Sequence, residues 1–568
     1  MKKKIVGIFV CMLLIATILP VTATIDKNKE TDQSRMENDW WPMYRCDPGN
    51  TGFSPSIAPN TNQISWTQNI WDDVYSATPV VAEDKLYLST DWLYDVFEPL
   101  SLSNLASIFE KQDLSEVFEN IISQVSNYDG GIYCLDADDG TMLWNNPMVI
   151  PNNPAVVDGK VYICNLDPYT YGSSFFCLDA DDGSTIWQKP LTSWIFSPTI
   201  VADGKAYFGG IDLYGFSGEI YCYDLNGNSI WSYPTGYGEF SFSSPAVGDG
   251  KVYFVTIDWY SYYTGTLYCL DADTGALEWT KPVPSFSYFF SSASPVCANG
   301  RVYYAGIDFY SYGGTVYCFD GDTGSTVWQY SMDGFPFSTV AICEDGIYVT
   351  AFELYGYYYY GDSCLYRIDA GTGALIWKVL IPGETWYFFF GTGSPAVGDG
   401  KAYISTLDFG YYYSDTSALH CFDTDDGDLK WSYEFDYMSL CSPSIADERV
   451  YIADLNGKVY AFEDVLKIDI KSGIGLLSAS TVVKNDGVAD LTNISWSVSV
   501  TGGLLGMVNK TSTGTITTLE GGGSNTVRAF PVFGLGPIHV TSTATMEGVS
   551  VIETGKDGFI LGPLILIS

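Results

Sequence analysis

Beyond about residue 60 the apolar positions come in short alternating runs, broken at regular intervals by Asp-Gly and Asp-x-x-x-Gly clusters. Period-two runs between such clusters read as half-buried strands joined by tight turns. The pattern also repeats. Tyr133-Cys-Leu-Asp-Ala-Asp-Asp-Gly-Thr-Met-Leu-Trp144 returns as Phe176-Cys-Leu-Asp-Ala-Asp-Asp-Gly-Ser-Thr-Ile-Trp187, then in copies ending at Trp231, Trp279, Trp328, Trp377 and Trp431, at intervals of 43 to 54 residues. A second motif precedes each copy, as in Ser244-Pro-Ala-Val-Gly-Asp-Gly-Lys-Val-Tyr253 and Ser394-Pro-Ala-Val-Gly-Asp-Gly-Lys-Ala-Tyr403.

Each unit reads as four strands. Strand A is the Ser-Pro-Ala-Val run, and Asp-Gly turns it into strand B. A variable loop leads to strand C, such as Leu267-Tyr-Cys-Leu270, and the Asp271–Gly275 turn gives strand D, which ends in Trp279. Four-stranded sheets repeated at this length predict a β-propeller. The strand B tyrosines Tyr87, Tyr162, Tyr207, Tyr253, Tyr303, Tyr348, Tyr403 and Tyr451 count eight blades. The eighth strand C, Lys458–Glu463, has no tryptophan after it, whereas Gln63-Ile-Ser-Trp66 is a strand D with no blade of its own. Pairing the two closes the ring and removes an exposed edge; seven blades with a stray strand is the alternative.

The spacing Asp-x3-Gly-x3-Trp resembles the tryptophan-docking repeat of the PQQ-like (quinoprotein-dehydrogenase-like, WD40-like) propeller family over about residues 39–463. The match recurs seven times plus one split copy, although Asp224 to Trp231 is one residue shorter than the rest. Trp40-Trp-Pro-Met-Tyr-Arg45 and Thr51-Gly-Phe-Ser54 look like the lead-in of exported members. The resemblance implies that Trp66, Trp144, Trp187, Trp231, Trp279, Trp328, Trp377 and Trp431 pack between adjacent blades as structural residues.

The ends of the chain read differently. Met1-Lys2-Lys3-Lys4 followed by the apolar run Ile5–Leu19 and Val21-Thr22-Ala23 reads as a secretory signal peptide over 1–23, with an uncleaved anchor as the alternative. A lead-in covers 24–61 and the propeller 62–463. Within blade one, about 93–127 departs from the strand pattern: Leu105, Ile108, Phe109, Leu114, Val117, Phe118, Ile121, Ile122 and Val125 fall at helical spacing, which predicts an amphipathic helical insertion. It would pack on the rim or act as a lid. Residues 464–568 are rich in Gly, Thr, Ser and Val and predict a small immunoglobulin-like β-sandwich, whose last strand runs from Gly558 to Ile567. The fold class is therefore all-β.

Charge narrows the function. Asp and Glu number 67 against 27 Lys and Arg, a net charge of −40, which excludes a nucleic-acid binder. An apolar fraction of 46% excludes a wholly disordered acidic chain. The strand C cysteines Cys134, Cys177, Cys222, Cys269, Cys318 and Cys421 occupy equivalent positions in different blades and read as buried free thiols. Bridges are conceivable for Cys297 with Cys343 and for Cys46 with Cys441. The Asp-rich turns read as hairpin chemistry rather than calcium loops, since Gly427 stands where an EF-hand needs a ligand.

No catalytic constellation is readable, and no metal site is expected. Quinoprotein dehydrogenases are associated with adjacent cysteines, a calcium-binding carboxylate set and often a haem motif. No two cysteines here are adjacent, and neither His420 nor His539 follows a Cys-x-x-Cys. PQQ and calcium therefore belong only to an alternative reading as a quinone-dependent dehydrogenase.

The B–C and D–A loops share one face and are long and aromatic, whereas the opposite turns are short and uniform. That face carries Tyr260, Tyr310, Tyr358, Tyr412 and Trp386. An acid opens each B–C loop, among them Asp91, Asp167, Asp212, Asp258, Asp308, Glu353, Asp408 and Asp454, six of them five residues after the strand B tyrosine. The expected function is an exported or cell-surface, monomeric binding protein without a cofactor. It would use Asp212, Asp258, Asp308, Glu353, Asp408 and these aromatics to hold a protein or glycan. Carbohydrate binding by ring stacking is a further alternative, and the same residues would equally serve to cap loops and pack on one another.

Overall fold

The computed structural model describes residues 39–567 apart from 71, 73, 75–76, 91–129, 168–171, 213–214, 259, 261–263, 286–292, 309–312, 345, 355–360, 383–392, 410–414, 488–490 and 547–551. The expected signal peptide, the helical insertion over 93–127 and Asp91 lie outside the described residues, as do Tyr310, Tyr358, Tyr412, Trp386 and most of the aromatic loops. The regular structure of the described chain is almost all strand, and its sheets are antiparallel; its helical content is one 3-10 turn, Leu504–Gly506. No helix among the described residues is long and apolar enough to cross a membrane.

Between Ile64 and Phe462 the described strands form eight separate sheets of four or five strands. In the sheet of Ala246–Gly248, Lys251–Asp258, Thr264–Asp271 and Leu277–Pro284, the strands pair in chain order as A, B, C and D. The A–B turns place both central residues at positive φ, as at Asp249 (51°) and Gly250 (72°), the conformation that lets a two-residue hairpin follow the strand twist. In the C–D turns the leading aspartate caps its own loop: Asp271 Oδ1 accepts the amides of Asp273 at 3.2 Å and Thr274 at 2.8 Å. Hairpin chemistry therefore accounts for the Asp-rich turns, since the same aspartate-to-amide bonds recur at Asp136, Asp179, Asp320, Asp369 and Asp423.

The predicted split pairing is present. Ile64–Asn69 lies against Lys458–Phe462 in a sheet completed by Arg449–Ala453 and Ser444–Ala446. Two short strands were not legible beforehand: Trp194–Ile195 and Glu239–Ser241, in D–A connections, extend the pairing of strand B.

Neighbouring sheets are joined by one repeated contact. The indole N–H of Trp144 donates to Ala180 O at 3.0 Å, in the C–D turn of the next sheet. The same bond runs from Trp66 to Ala137, Trp231 to Ala272, Trp279 to Gly321, Trp328 to Ala370 and Trp377 to Thr424, at 2.9 to 3.1 Å. Each ring lies on the turn's glycine. A Cβ at Gly183 would fall 2.5 Å from the Trp144 ring, so the repeat's Gly is needed for close approach as well as for its φ of 70°. Trp431 departs from the pattern. It stacks on Phe462 at 5.8 Å, and its N–H has no acceptor among the described residues, because the sheet beyond it has no Gly turn.

Residues 41–59 thread past the strand A side of seven of the eight sheets. Trp41 bridges Val81, and the amides of Val156, Val247, Cys297, Ile342 and Val397 donate to Pro42, Pro48, Gly49, Thr51 and Gly52 carbonyls at 2.6 to 2.9 Å. The amide of Glu448 donates to Ser56 Oγ at 3.0 Å. Arg45 is wholly buried within this segment; its guanidinium donates to Pro395 O at 2.5 Å and Val340 O at 3.0 Å. Burial pushes its pKa down to about 10. A Ser or Thr two residues before strand A links five successive sheets: Ser244 N donates to Ser294 Oγ, Ser294 N to Thr339 Oγ1, Thr339 N to Ser394 Oγ and Ser394 N to Ser442 Oγ, all at 2.9 to 3.0 Å.

After Phe462 the chain forms a three-stranded and a six-stranded sheet that share a core including Val483, Ile494, Val498, Val540 and Ile560. The expected single last strand is in fact two. Ile552–Gly562 and Leu564–Ile567 form a hairpin turning at Pro563, which has no N–H for a continuous ladder. All twelve cysteines from Cys46 onward are free thiols, including the pairs for which bridges were conceivable. Burial pushes Cys134, Cys222, Cys269 and Cys421 up to about 12.

Candidate functional site

Strand register places the acids at one end of the sheets. Asp167, Asp212, Asp258 and Asp308 each end a strand B, and Glu353 and Asp408 are the penultimate residues of theirs. Asp454 directly follows Arg449–Ala453.

Their environments differ. Asp454 is 1% exposed and accepts the amides of Asn456 at 3.1 Å and Lys458 at 3.0 Å, together with the Tyr460 hydroxyl at 3.0 Å. Burial holds its carboxyl above the usual range. Glu353 pairs with Lys378 Nζ at 2.5 Å and accepts the Tyr366 hydroxyl. Asp258 accepts the backbone N–H of Tyr260 at 2.9 Å. These three act at least in part as loop caps and anchors.

A second relation was missed in the sequence. The tyrosine before the strand C cysteine reaches a carboxylate in three sheets: Tyr133 donates to Asp72, Tyr221 to Glu219 and Tyr268 to Glu239. The Tyr-Cys dipeptide was visible, but its partners come from a loop, from strand C and from a D–A strand, with no common spacing. The equivalent position in another sheet is His420, 2% exposed. Its Nδ1 is 2.7 Å from Ser432 Oγ and its Nε2 is 3.0 Å from Thr406 Oγ1. Burial lowers its pKa to about 4, so it is a neutral hydrogen-bonding core residue.

One aromatic group is fully described. Tyr260 is 49% and Tyr237 71% exposed, and the two rings stack 20° from parallel with centroids 6.3 Å apart. Phe216 lies 5.2 Å from Tyr237 and meets Phe240 edge-on at 5.0 Å. Gly238, at φ 80°, permits this packing, since a Cβ there would come within 2.6 Å of the Tyr260 ring. Glu239 is the cross-strand partner of Asp258, and its carboxylate accepts the Tyr268 hydroxyl. The structure thus brings together the predicted Asp258 and Tyr260 and adds Tyr237, Glu239 and Phe216. Asp212, Asp308, Glu353 and Asp408 sit at the same end of other sheets.

On the opposite turns, exposed aspartates pair with basic residues of the preceding sheet: Arg449 with Asp138 at 2.8 Å, Lys251 with Asp322 at 2.7 Å, Lys85 with Asp181 at 2.6 Å, and Lys205 with Asp273. Pairs this exposed contribute little each.

Among the described residues there is no group of three His, Cys, Asp or Glu side chains placed to hold a metal ion. The buried cation nearest the strand A edges, Arg45, is already held by two carbonyls.

Comparison with known proteins comes from two directions. The sequence profile of the family described as outer membrane protein assembly factor BamB matches residues 128–213, 216–349, 265–408 and 361–512. No curated protein matches the chain. Among solved structures, the quinohemoprotein alcohol dehydrogenase of Comamonas testosteroni is 14% identical at a TM-score of 0.53, covering 76% of this chain and 82% of its own. A europium-containing methanol dehydrogenase is 13% identical at 0.53, covering 81% and 92%. BamB of Moraxella catarrhalis is 17% identical at 0.41, covering 59% and 91%, a likeness too weak to bear an argument. At these identities the first two likenesses establish the PQQ-like propeller fold and nothing of the activity.

Proposed function

This chain belongs to the PQQ-like repeat family described as outer membrane protein assembly factor BamB, and on that premise we propose that it is an exported, non-catalytic binding protein. The eight sheets are its eight blades, residues 464–568 are an immunoglobulin-like sandwich appended to them, and residues 1–23 direct export. Its partner is a protein or glycan, held on the face that bears the strand B acids and the loop aromatics.

The observation that carries this reading is the exposed, stacked Tyr237–Tyr260 pair beside Asp258, whose carboxylate accepts the Tyr260 amide. Tyrosine offers large contact area at low entropy cost, and its ring also stacks on sugars. The other face is made of uniform turns, and the lead-in 41–59 already engages the strand A edges, so a partner has its room among the loops. An assembly factor, as the family is described, works by holding other proteins. The dehydrogenase reading draws on the fold likeness alone.

Two assays on the full chain test the proposal: a glycan array, and crosslinking to exported proteins of the host. Retention by wild type and its loss in Tyr237→Ser/Tyr260→Ser supports the assigned face. Dye reduction after reconstitution with PQQ and calcium would replace it with the dehydrogenase.

A further inference from the structure

The outer face of the C-terminal six-stranded sheet carries an apolar patch that no part of the chain covers among the described residues. Strand register lays it out in two rows. Ile474, Leu566, Phe559 and Pro537 are successive cross-strand partners, and two residues along each strand so are Leu476, Leu564, Leu561 and Leu535. The alternate positions Ile538, Val540, Ile560 and Ile565 point into the core, so the rows point away from it. Six of the eight row residues are 43% to 75% exposed. The next row is polar: His539 pairs with Asp557 at 2.8 Å and bounds the patch on that side. Exposed Leu505, Met507 and Phe533 flank its other end.

We infer that this face is where two copies of the chain associate, sheet against sheet. Three observations select a second copy as the occupant. The first is area. At roughly 100 Å² for each of nine half- to fully exposed large side chains, the patch offers on the order of 900 Å² per copy, against the ~800 Å² per partner of a stable interface. The second is charge. Residues 464–568 carry eight acidic and six basic side chains, so they hold −2 of the chain's −40. The strongly acidic propeller repels its own kind, and this unit is the part of the chain through which two copies meet at least electrostatic cost. The third is shape. Two rows on a regular sheet face suit another sheet packed about 10 Å away, with the same patch on both partners. A lipid surface would instead call for protruding aromatic and basic loops. The association revises the expectation of a monomer.

Analytical ultracentrifugation of the full chain at several concentrations tests the inference. Wild type is expected to be a dimer at micromolar concentration, and higher salt should tighten it by screening the propellers. Leu476→Lys and, separately, Phe559→Ser should raise the dissociation constant at least tenfold, with an unchanged thermal melt. Tyr260→Ser should leave the dimer intact. Hydrogen exchange on wild type keeps the test open if a variant fails to fold: amides of 473–476 and 558–561 should gain protection as concentration rises. A monomer at all concentrations overturns the inference. So does a dimer indifferent to both substitutions, or a monomer that floats with phosphatidylcholine vesicles through this face.

Discussion

Trp66 and Ala137 stand 71 positions apart in sequence, and the indole N–H of the first donates to the carbonyl of the second at 2.9 Å. Trp66 sits on the outer strand of the last sheet and Ala137 in a turn of the first, so this bond links the two ends of the repeat. Tyr451 of the last sheet donates to the same carbonyl at 3.2 Å, which makes Ala137 O a shared acceptor.

The seam between those ends should therefore be sensitive to one methyl group. Gly140 has φ 74°, and a Cβ there would lie 2.4 Å from the Trp66 ring. Gly140→Ala is expected to cost about 2–4 kcal/mol by urea denaturation, from backbone strain plus overpacking. Gly204→Ala, at φ 72° with nothing within 4 Å, should cost only about 1 kcal/mol. Equal costs would mean that the tryptophan contact is not what the glycine serves.

Arg45 should pin the lead-in. Arg45→Met removes a buried cation and leaves the Pro395 and Val340 carbonyls without it. A loss of about 2–4 kcal/mol is expected, with new protease cleavage between residues 40 and 60. Arg45→Lys cannot serve both carbonyls with the same fork and should fall between the two. An uncleaved lead-in in Arg45→Met would show that the segment is held by its backbone bonds alone.

His420 gives the protein a specific acid sensitivity. Its folded pKa of about 4 lies below the ordinary 6.5, so the folded state binds fewer protons than the unfolded state between those values. Stability from this group is intact above pH 6.5 and is lost as pH falls toward 4, by up to roughly 3 kcal/mol. His420→Gln should flatten that part of the stability profile. The comparison is denaturation of both proteins at pH 7 and pH 4.5, and equal slopes would exclude His420 as the source.

The two faces should respond oppositely. Tyr237→Ser/Tyr260→Ser is expected to leave the fold intact and abolish partner retention. Replacing Asp138, Asp273 and Asp425 by Asn breaks exposed pairs with Arg449, Lys205 and Arg367, at no more than about 1 kcal/mol each, and should leave retention unchanged. Binding lost only with the second set would reverse the assignment.

Cys134, Cys222, Cys269 and Cys421 should resist alkylation in the native protein, because a thiol held near pKa 12 is almost never thiolate at neutral pH. In denaturant they should react without prior reduction, with mass spectrometry as the readout. Blocked thiols would mean that bridges form.

The strands, the C–D turns and the split pairing of Ile64–Asn69 with Lys458–Phe462 were legible in the sequence by itself. Each rests on local chemistry or on a repeat: alternation sets the faces of a strand, Asp and Gly set a turn, and an orphan strand D needs an orphan strand C. The burial of the cysteines followed from their equivalent positions. The role of Arg45, the Tyr–carboxylate pairs and the Glu239–Asp258 neighbours was decided by tertiary structure. Each joins residues from elements with no common spacing, and a carboxylate's partner depends on which strand the fold lays beside it. The exposed rows of the C-terminal sheet belong there too. Alternation marks both faces of those strands as apolar, and only the packing of the two sheets determines which face is covered.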